Sequence, residues 1–463
     1  MLRSLCLLAL AALPTAQEPP APTRPNFVLV LLDDAGWGDF ACYGNWHVQT
    51  PQLDRMAAEG LLCTRFYVNS PVCSPSRLAF MTGQFPGRLG VHGVRWGQAA
   101  AGMGNEPAEA LWLSEALSQG GYRIGQFGKW HLGHRRLGPD PSAYAIDDHR
   151  TRVSSGPGWG EELDNAWTSR SDELIFDEAL RFIEESGERP FYLNVWTLTP
   201  HTPIAPSEEQ LNVGHYRNMQ AQGLGGPLEQ FPTPMRQYDA TITEIDRQIG
   251  RLLDRLDELG LSENTLVVVT SDNGPENLVP RRNASVGSSD PFRGRKRSLY
   301  EGGVRVPCLV RWPGRVPAGR VSAAAWSAVD WMPTLCGLAG VRLDAALPLD
   351  GEDATAMLMG EPWTRSRPLY WEYRFGQGGI TALNRSPLLA LTRGDWKFLL
   401  NPDLSRVELY DLATDPMEVD NLAREHPELV EELSAELLAF QRSLPEGPYE
   451  PEAGGRGIVW PGE

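Results

Sequence analysis

The chain has 463 residues, with 42 Lys and Arg against 59 Asp and Glu, for a formal net charge of −17. Hydrophobic residues make up 41% and charged residues 22%, a profile that excludes disordered and fibrous classes and is long enough for a large core with a smaller appended unit. The acidic balance argues against broad binding to nucleic acid or anionic membrane surfaces, which take net positive charge, but leaves room for a local positive pocket.

In chain order, Arg3 and the apolar run 5–13 come first, and that run is too short to span a bilayer. Small residues follow, with a cleavage point after Ala16 or Gln17, and then Pro19, Pro20, Pro22 and Pro25, which would end any helix. Residues 1–17 are therefore read as a secretory signal peptide, and the mature chain as exported, periplasmic or secreted. No later run approaches the ~18 apolar residues of a membrane span. Loss of the signal removes Cys6 and leaves Cys42, Cys63, Cys73, Cys308 and Cys336. An odd number in an exported chain implies one spare thiol, and the lack of C-x-x-C spacing argues against zinc.

Residues 26–32 (NFVLVLL) form a continuous apolar run that suits a strand covered on both faces, and Asp33-Asp34 follows it. A helix is predicted over 53–60. Another begins around Ser74-Pro75 and stops at Thr82-Gly83. Helix 108–120, strand 123–128, helix 172–185, strand 191–197, the long amphipathic helix 235–259 and strand 265–270 continue the alternation. The last strand ends in Ser271-Asp272. Strands alternating with helices predict an α/β fold, a large mostly parallel sheet sandwiched by helices, with ligands beyond the carboxyl ends of the strands. Beyond about residue 360 short strands at 368–373, 388–392, 396–400 and 407–410 and a helix at 425–444 predict a small antiparallel sheet with a packed helix. The expected divisions are 25–360, 361–445 and a loose Gly- and Pro-rich tail, 446–463.

Cys73 lies at the mouth of a predicted helix, where free N–H groups favour an anion, and Arg77 is four residues on along the same face. Asp33, Asp34, Asp272 and Asn273 are hard oxygen donors at two strand ends, which favours Ca²⁺ or Mg²⁺ and leans towards Ca²⁺. Each pair also suits a plain helix cap or turn. Lys129 and His131, two apart, would face one way if the chain stays extended. His201 sits between prolines after a predicted strand. Lys296 lies in a basic cluster with Arg281, Arg282, Arg293, Arg295 and Arg297, either a solvated face or an attractor for an anionic substrate.

Cys73-Ser74-Pro75-Ser76-Arg77, followed after four residues by Thr82-Gly83, resembles the signature of the type I sulfatases, of the alkaline-phosphatase-like superfamily. So do Asp33-Asp34, the run Gly128-Lys129-Trp130-His131-Leu132-Gly133, Pro200-His201-Thr202-Pro203 and Ser271-Asp272-Asn273-Gly274. The segments Phe292-Arg293-Gly294-Arg295-Lys296 and Glu301-Gly302-Gly303-Val304-Arg305-Val306-Pro307, and a C-terminal element from Glu408 to Pro416, complete the order. The resemblance implies that a maturation enzyme converts Cys73 to formylglycine, whose hydrate is a gem-diol. It implies one Ca²⁺ held by Asp33, Asp34, residue 73, Asp272 and Asn273. It also implies catalytic work by Cys73, Arg77, Lys129, His131, His201 and Lys296 on a sulfate monoester. Two rivals share the motifs: a phosphonate or phosphate diester hydrolase on the same fold, and a non-catalytic sulfated-glycan-binding protein if Cys73 stays unconverted. A sugar sulfate is the favoured substrate, with rim loops at 93–106, 133–167 and 202–234.

Overall fold

The computed structural model describes residues 24–94, 110–132, 140–152, 165–212, 233–276, 286–376, 384–447, 450 and 453–455. The stretch 1–17 read as a signal peptide, most of the expected tail and much of the three expected rim loops lie outside these residues, as do Arg281 and Arg282.

A nine-stranded sheet forms the centre. Its strands are β1 (Asn26–Asp33), β2 (Leu61–Tyr67), β3 (Arg123–Lys129), β4 (Asp148–Arg152), β5 (Phe191–Pro200), β6 (Thr265–Ser271), β7 (Arg305–Arg311), β8 (Arg320–Ser322) and β9 (Trp326–Ser327). The order is β4-β3-β5-β1-β6-β7-β2-β8, with β9 also on β2. Pairings from β4 to β6 are parallel, and β7 runs antiparallel to both β6 and β2. β1 shows why its sequence is apolar throughout. Phe27, Leu29 and Leu31 enter one core cluster, and Val28, Val30 and Leu32 enter the other. Alternate side chains go to opposite faces, and helices cover both.

On one face lie the helices Asn165–Ser186 and Thr233–Glu258, with α1 (Pro51–Glu59), contributing Phe182, Ile245, Leu252 and Met56. On the other lie α2 (Cys73–Thr82), α3 (Leu113–Gln119) and the helix Trp331–Leu338. α3 starts later than the predicted 108–120, because Glu115 reaches back to cap the N–H of an extended Trp112 at 2.9 Å.

A second sheet, antiparallel, runs β10 (Leu369–Glu372), β11 (Leu389–Arg393), β12 (Trp396–Leu400) and β13 (Val407–Asp411), with the helix Pro427–Ser443 against it. This is the expected small sheet plus helix, and the α/β architecture is the one expected. The antiparallel pair β2 and β7 is an addition. Arg65 interrupts one run and Pro307 the other, and proline is unusual in an inner strand. Here Thr270 donates to the Pro307 carbonyl at 2.7 Å, which keeps its acceptor satisfied.

One cysteine expectation is corrected. Among the described residues Cys42, Cys63, Cys73, Cys308 and Cys336 are all free thiols, so Cys73 is not the one spare thiol among paired ones. Cys63 and Cys308 face each other across β2 and β7 without a bond, and Cys336 is on a separate helix. Among the described residues no helix is long and apolar enough to cross a membrane.

Candidate active site

Parallel register builds the site. β1 pairs with β6 from Asn26↔Thr265 to Leu32↔Ser271, so Asp33-Asp34 and Asp272-Asn273 leave the sheet side by side. On the other flank Asp33 is level with Pro200, which puts His201 at the same edge. The two oxygen-donor pairs and His201 are thus neighbours because three strands end together.

Local backbone then aims the groups. Asp34 has φ 70°, a left-handed conformation that Asp tolerates better than most residues and that is common at functional sites. Its N–H donates to Asp272 Oδ1 at 3.2 Å. Gly128 has φ 96°, and a Cβ there would lie 2.0 Å from the Trp196 carbonyl oxygen, so only glycine lets β3 lie this close to β5. The chain does not stay extended through Lys129 and His131, the condition for both to face one way: β3 ends at Lys129, and His131 turns with φ 58°. That turn is fixed by Ser74, whose hydroxyl donates to the His131 carbonyl at 2.7 Å.

Every candidate carboxylate has a cation. Lys129 Nζ donates to Asp33 Oδ2 at 2.5 Å. Lys296 Nζ donates to both oxygens of Asp34, at 2.7 and 2.6 Å. Arg77 donates through Nε and Nη2 to Asp272 Oδ2, at 2.9 and 2.6 Å. Its guanidinium also stacks over Trp196, 5.0 Å from the ring centroid, and is 0% exposed. Asn273 Nδ2 donates to Asp34 Oδ1 at 2.7 Å. His201 Nε2 lies 3.7 Å from Asp34 Oδ2, and its Nδ1 is 2.6 Å from the Thr202 carbonyl. Lys296 is therefore a buried site group and not part of a solvated basic face.

Burial raises the Asp34 carboxyl, but Lys296, His201 and Lys129 outweigh it and hold the group well below the usual range. Asp272 goes the other way: its burial outweighs Arg77 and raises it. Burial, then the charges of Lys129 and Arg77, keeps His131 well below its ordinary value, so its ring is neutral near pH 7. Burial pushes the Cys73 thiol up to about 11, against the opposing pull of Lys129 and Lys296.

The donor set fits a hard divalent cation. Among the described residues Asp33 Oδ1 and Asn273 Oδ1 are buried oxygens with no hydrogen-bond partner, a costly arrangement unless something else satisfies them. Ligating atoms of Asp33, Asp34 and Cys73 all lie within 4.8 Å of one another. A second such group joins Asp34, His201 and Glu276. Glu276 was absent from the sequence reading. Its signal was its place, directly after the Asn273-Gly274-Pro275 turn. Trp196, under Arg77, left no signal beyond its strand.

Comparison with known proteins places the chain in a family. The chain matches the family described as Sulfatase over residues 25–341, and the description "N-sulphoglucosamine sulphohydrolase, C-terminal" over 294–443. It is 34% identical over 426 residues to N-acetylgalactosamine-6-sulfatase of Canis lupus familiaris, covering 85% of this chain and 74% of that one. It is 32% identical over 476 residues to arylsulfatase A of Homo sapiens, covering 91% and 86%. The crystal structure of Ps i-CgsB in complex with k-i-k-neocarrahexaose shares the fold, with a TM-score of 0.76 at 23% identity over 94% of this chain and 96% of that one. The chain belongs to the sulfatase family and is a sulfuric ester hydrolase.

Proposed function

We propose that this protein hydrolyses a sulfate monoester of a sulfated carbohydrate, using a formylglycine made from Cys73 by a maturation enzyme and one Ca²⁺. One observation carries the reading: the ligating atoms of Asp33, Asp34 and Cys73 lie within 4.8 Å of one another, and Asp272 and Asn273 from a second strand end are hydrogen-bonded to Asp34. The sugar substrate is supported by the sugar sulfatases among its relatives. We keep the reading that residues 25–360 carry the chemistry, that 361–445 form a C-terminal unit and that 1–17 direct export.

Asp33, Asp34, Asp272, Asn273 and residue 73 would hold the cation, which supplies a positive centre for a sulfate oxygen. Charge supports an anionic ligand. The carboxylates of Asp33, Asp34 and Asp272 are already matched by Lys129, Lys296 and Arg77. A dication therefore leaves a surplus of positive charge in a buried pocket. As an ordinary thiol Cys73 is protonated at neutral pH, since burial pushes it up to about 11, so it is a poor nucleophile unless converted. The diol of the converted residue supplies two hydroxyls on one carbon, one to displace the alcohol and one whose deprotonation releases sulfate.

The remaining steps belong to side chains in place. Arg77 and Lys129 flank residue 73 and polarise it. His201 and Lys296, both on Asp34, face the sulfate and the leaving oxygen, and His201 donates the proton to that oxygen. His131, kept neutral, accepts the proton when sulfate departs. Peptide mass analysis over residues 71–77 tests the reading. The expected mass is that of an aldehyde in place of the thiol, with release of inorganic sulfate from sulfated mono- or disaccharides. An unconverted cysteine in fully active protein would overturn it.

A further inference from the structure

We propose that Glu276 is a positioning residue for this reaction, and that its carboxylate holds the Lys296 ammonium at the leaving-group side of Asp34. The inference rests on the sulfatase chemistry proposed above. Neither the family motifs quoted earlier nor the roles assigned to the site include this residue.

The segment that bears Lys296 is stitched to Glu276 and its neighbour by three consecutive residues. Arg295 donates from Nε and Nη2 to the Glu276 carbonyl, at 3.0 and 2.9 Å. The Lys296 N–H donates to the Pro275 carbonyl at 3.0 Å. Arg297 grips both carboxylate oxygens of Glu276, with Nη2 to Oε2 at 3.2 Å and a shorter contact from Nη1 to Oε1. Lys296 Nζ lies 3.4 Å from Glu276 Oε2, beyond its closer contacts to Asp34. Glu276 is therefore shared between two adjacent cations and largely shielded, with a side chain 15% exposed.

Arg297 itself has φ 70°, and its N–H donates to the Pro71 carbonyl, two residues before Cys73. The left-handed turn throws the 296 and 297 side chains towards one carboxylate, where the two cations would otherwise repel. Asp34 alone cannot fix Lys296, because a carboxylate that serves a metal must share its charge. Glu276 is the second anchor. It also lies within 4.8 Å of the ligating atoms of both Asp34 and His201, the residue assigned above to protonate the leaving oxygen.

The consequence is selective. Help to a leaving oxygen matters most when the alcohol is a poor leaving group, as a sugar hydroxyl is, and least for a nitrophenol. Glu276→Gln keeps shape and removes charge. Its kcat/KM is expected to fall about tenfold or more on a hexose 6-sulfate and less than about threefold on 4-nitrophenyl sulfate, mainly through kcat. Glu276→Asp should restore part of the difference. Inorganic sulfate, measured by calorimetry, should bind Glu276→Gln about twofold more weakly or worse, although simple loss of a negative charge would tighten it. Equal losses on the two esters, no loss on either, or tighter sulfate binding would each overturn the proposal. If Glu276→Gln does not fold, as read by thermal melting, Glu276→Asp carries the same comparison. A parent enzyme that turns over neither ester defeats the sulfatase chemistry instead, and the sulfate-binding comparison then decides the role of Glu276.

Discussion

At the scale of single residues the site is a set of opposite charges held in a buried place with two oxygens left over. Asp33 shows this best: Oδ2 accepts a hydrogen bond from the Lys129 ammonium at 2.5 Å while Oδ1 has no hydrogen-bond partner among the described residues. A bound Ca²⁺ would satisfy Oδ1 and Asn273 Oδ1, so it should stabilise the folded chain. At a hundredfold excess over Kd the gain is about 2.7 kcal/mol. Melting with Ca²⁺ and with a chelator should differ by several degrees in the parent protein. In Asp33→Asn, which turns an amide towards Lys129, that difference should nearly vanish. A parent melting temperature indifferent to Ca²⁺ would refute the assignment. Much of this was legible in the sequence. Asp33-Asp34 and Asp272-Asn273 stand directly after the two most apolar runs, and parallel strands deliver their ends to one edge. What sequence does not carry is who pairs with whom. The basic cluster around Lys296 suits a solvated face or an anion attractor equally until its partner Asp34, 262 positions away, is known, and Glu276 has meaning only once Arg297 turns towards it.

At the scale of elements, helices and parallel strands were readable because their periods are strong and local. The β2 and β7 pair was not, because Arg65 and Pro307 break the pattern and only the neighbouring strands explain them. Caps from distant residues are equally silent. Thr50 makes no side-chain cap to α1; instead Asp246, on the helix Thr233–Glu258, accepts from the N–H groups of Gln52 and Leu53 at 3.0 and 2.8 Å. Burial pushes this carboxyl from 3.8 up to about 7, against the pull of those N–H groups. The folded state then keeps a proton that the unfolded chain has lost. The contribution is full below about pH 4 and fades as pH rises to about 7. Asp246→Asn, which cannot titrate, should flatten the change in stability between pH 5 and pH 8 in urea unfolding, if other groups are held fixed by comparison with the parent. Asp246→Ala leaves two N–H groups of α1 without their acceptor and should cost about 1–2 kcal/mol. Parallel pH profiles for parent and Asp246→Asn would show that the carboxyl does not titrate in this range.

At the scale of the whole molecule the small antiparallel sheet is a brace for the Lys296 segment. Arg293, three residues before Lys296, donates to Tyr300 Oη, Tyr410 Oη and the Glu418 carbonyl at 2.7, 3.2 and 3.0 Å. Glu301, five residues after it, takes the Lys397 ammonium of β12 at 2.7 Å and the Tyr67 hydroxyl of β2 at 2.8 Å. The Glu301 N–H in turn donates to Glu418 at 2.7 Å. Lys397 is fully buried, with its ammonium 5.2 Å from the Trp371 ring centroid. A buried ion pair gives little net stability against an apolar pair, but removing one partner strands the other. Lys397→Met should therefore cost about 3–5 kcal/mol, because Glu301 stays buried against Tyr67 and Arg305 without its nearest ammonium, and Glu418, 3.7 Å from Lys397, loses the same partner. Adding Glu301→Gln removes the carboxylate that sat closest to the lost ammonium, so the double variant should be more stable than Lys397→Met alone. Because both changes act on the segment that aims Lys296, turnover in the folded single variant should fall as well, and should recover only where the double variant re-forms the brace. Urea unfolding with sulfate-release assays on all three variants decides it. Additive losses would mean that the two sheets are coupled by apolar packing alone.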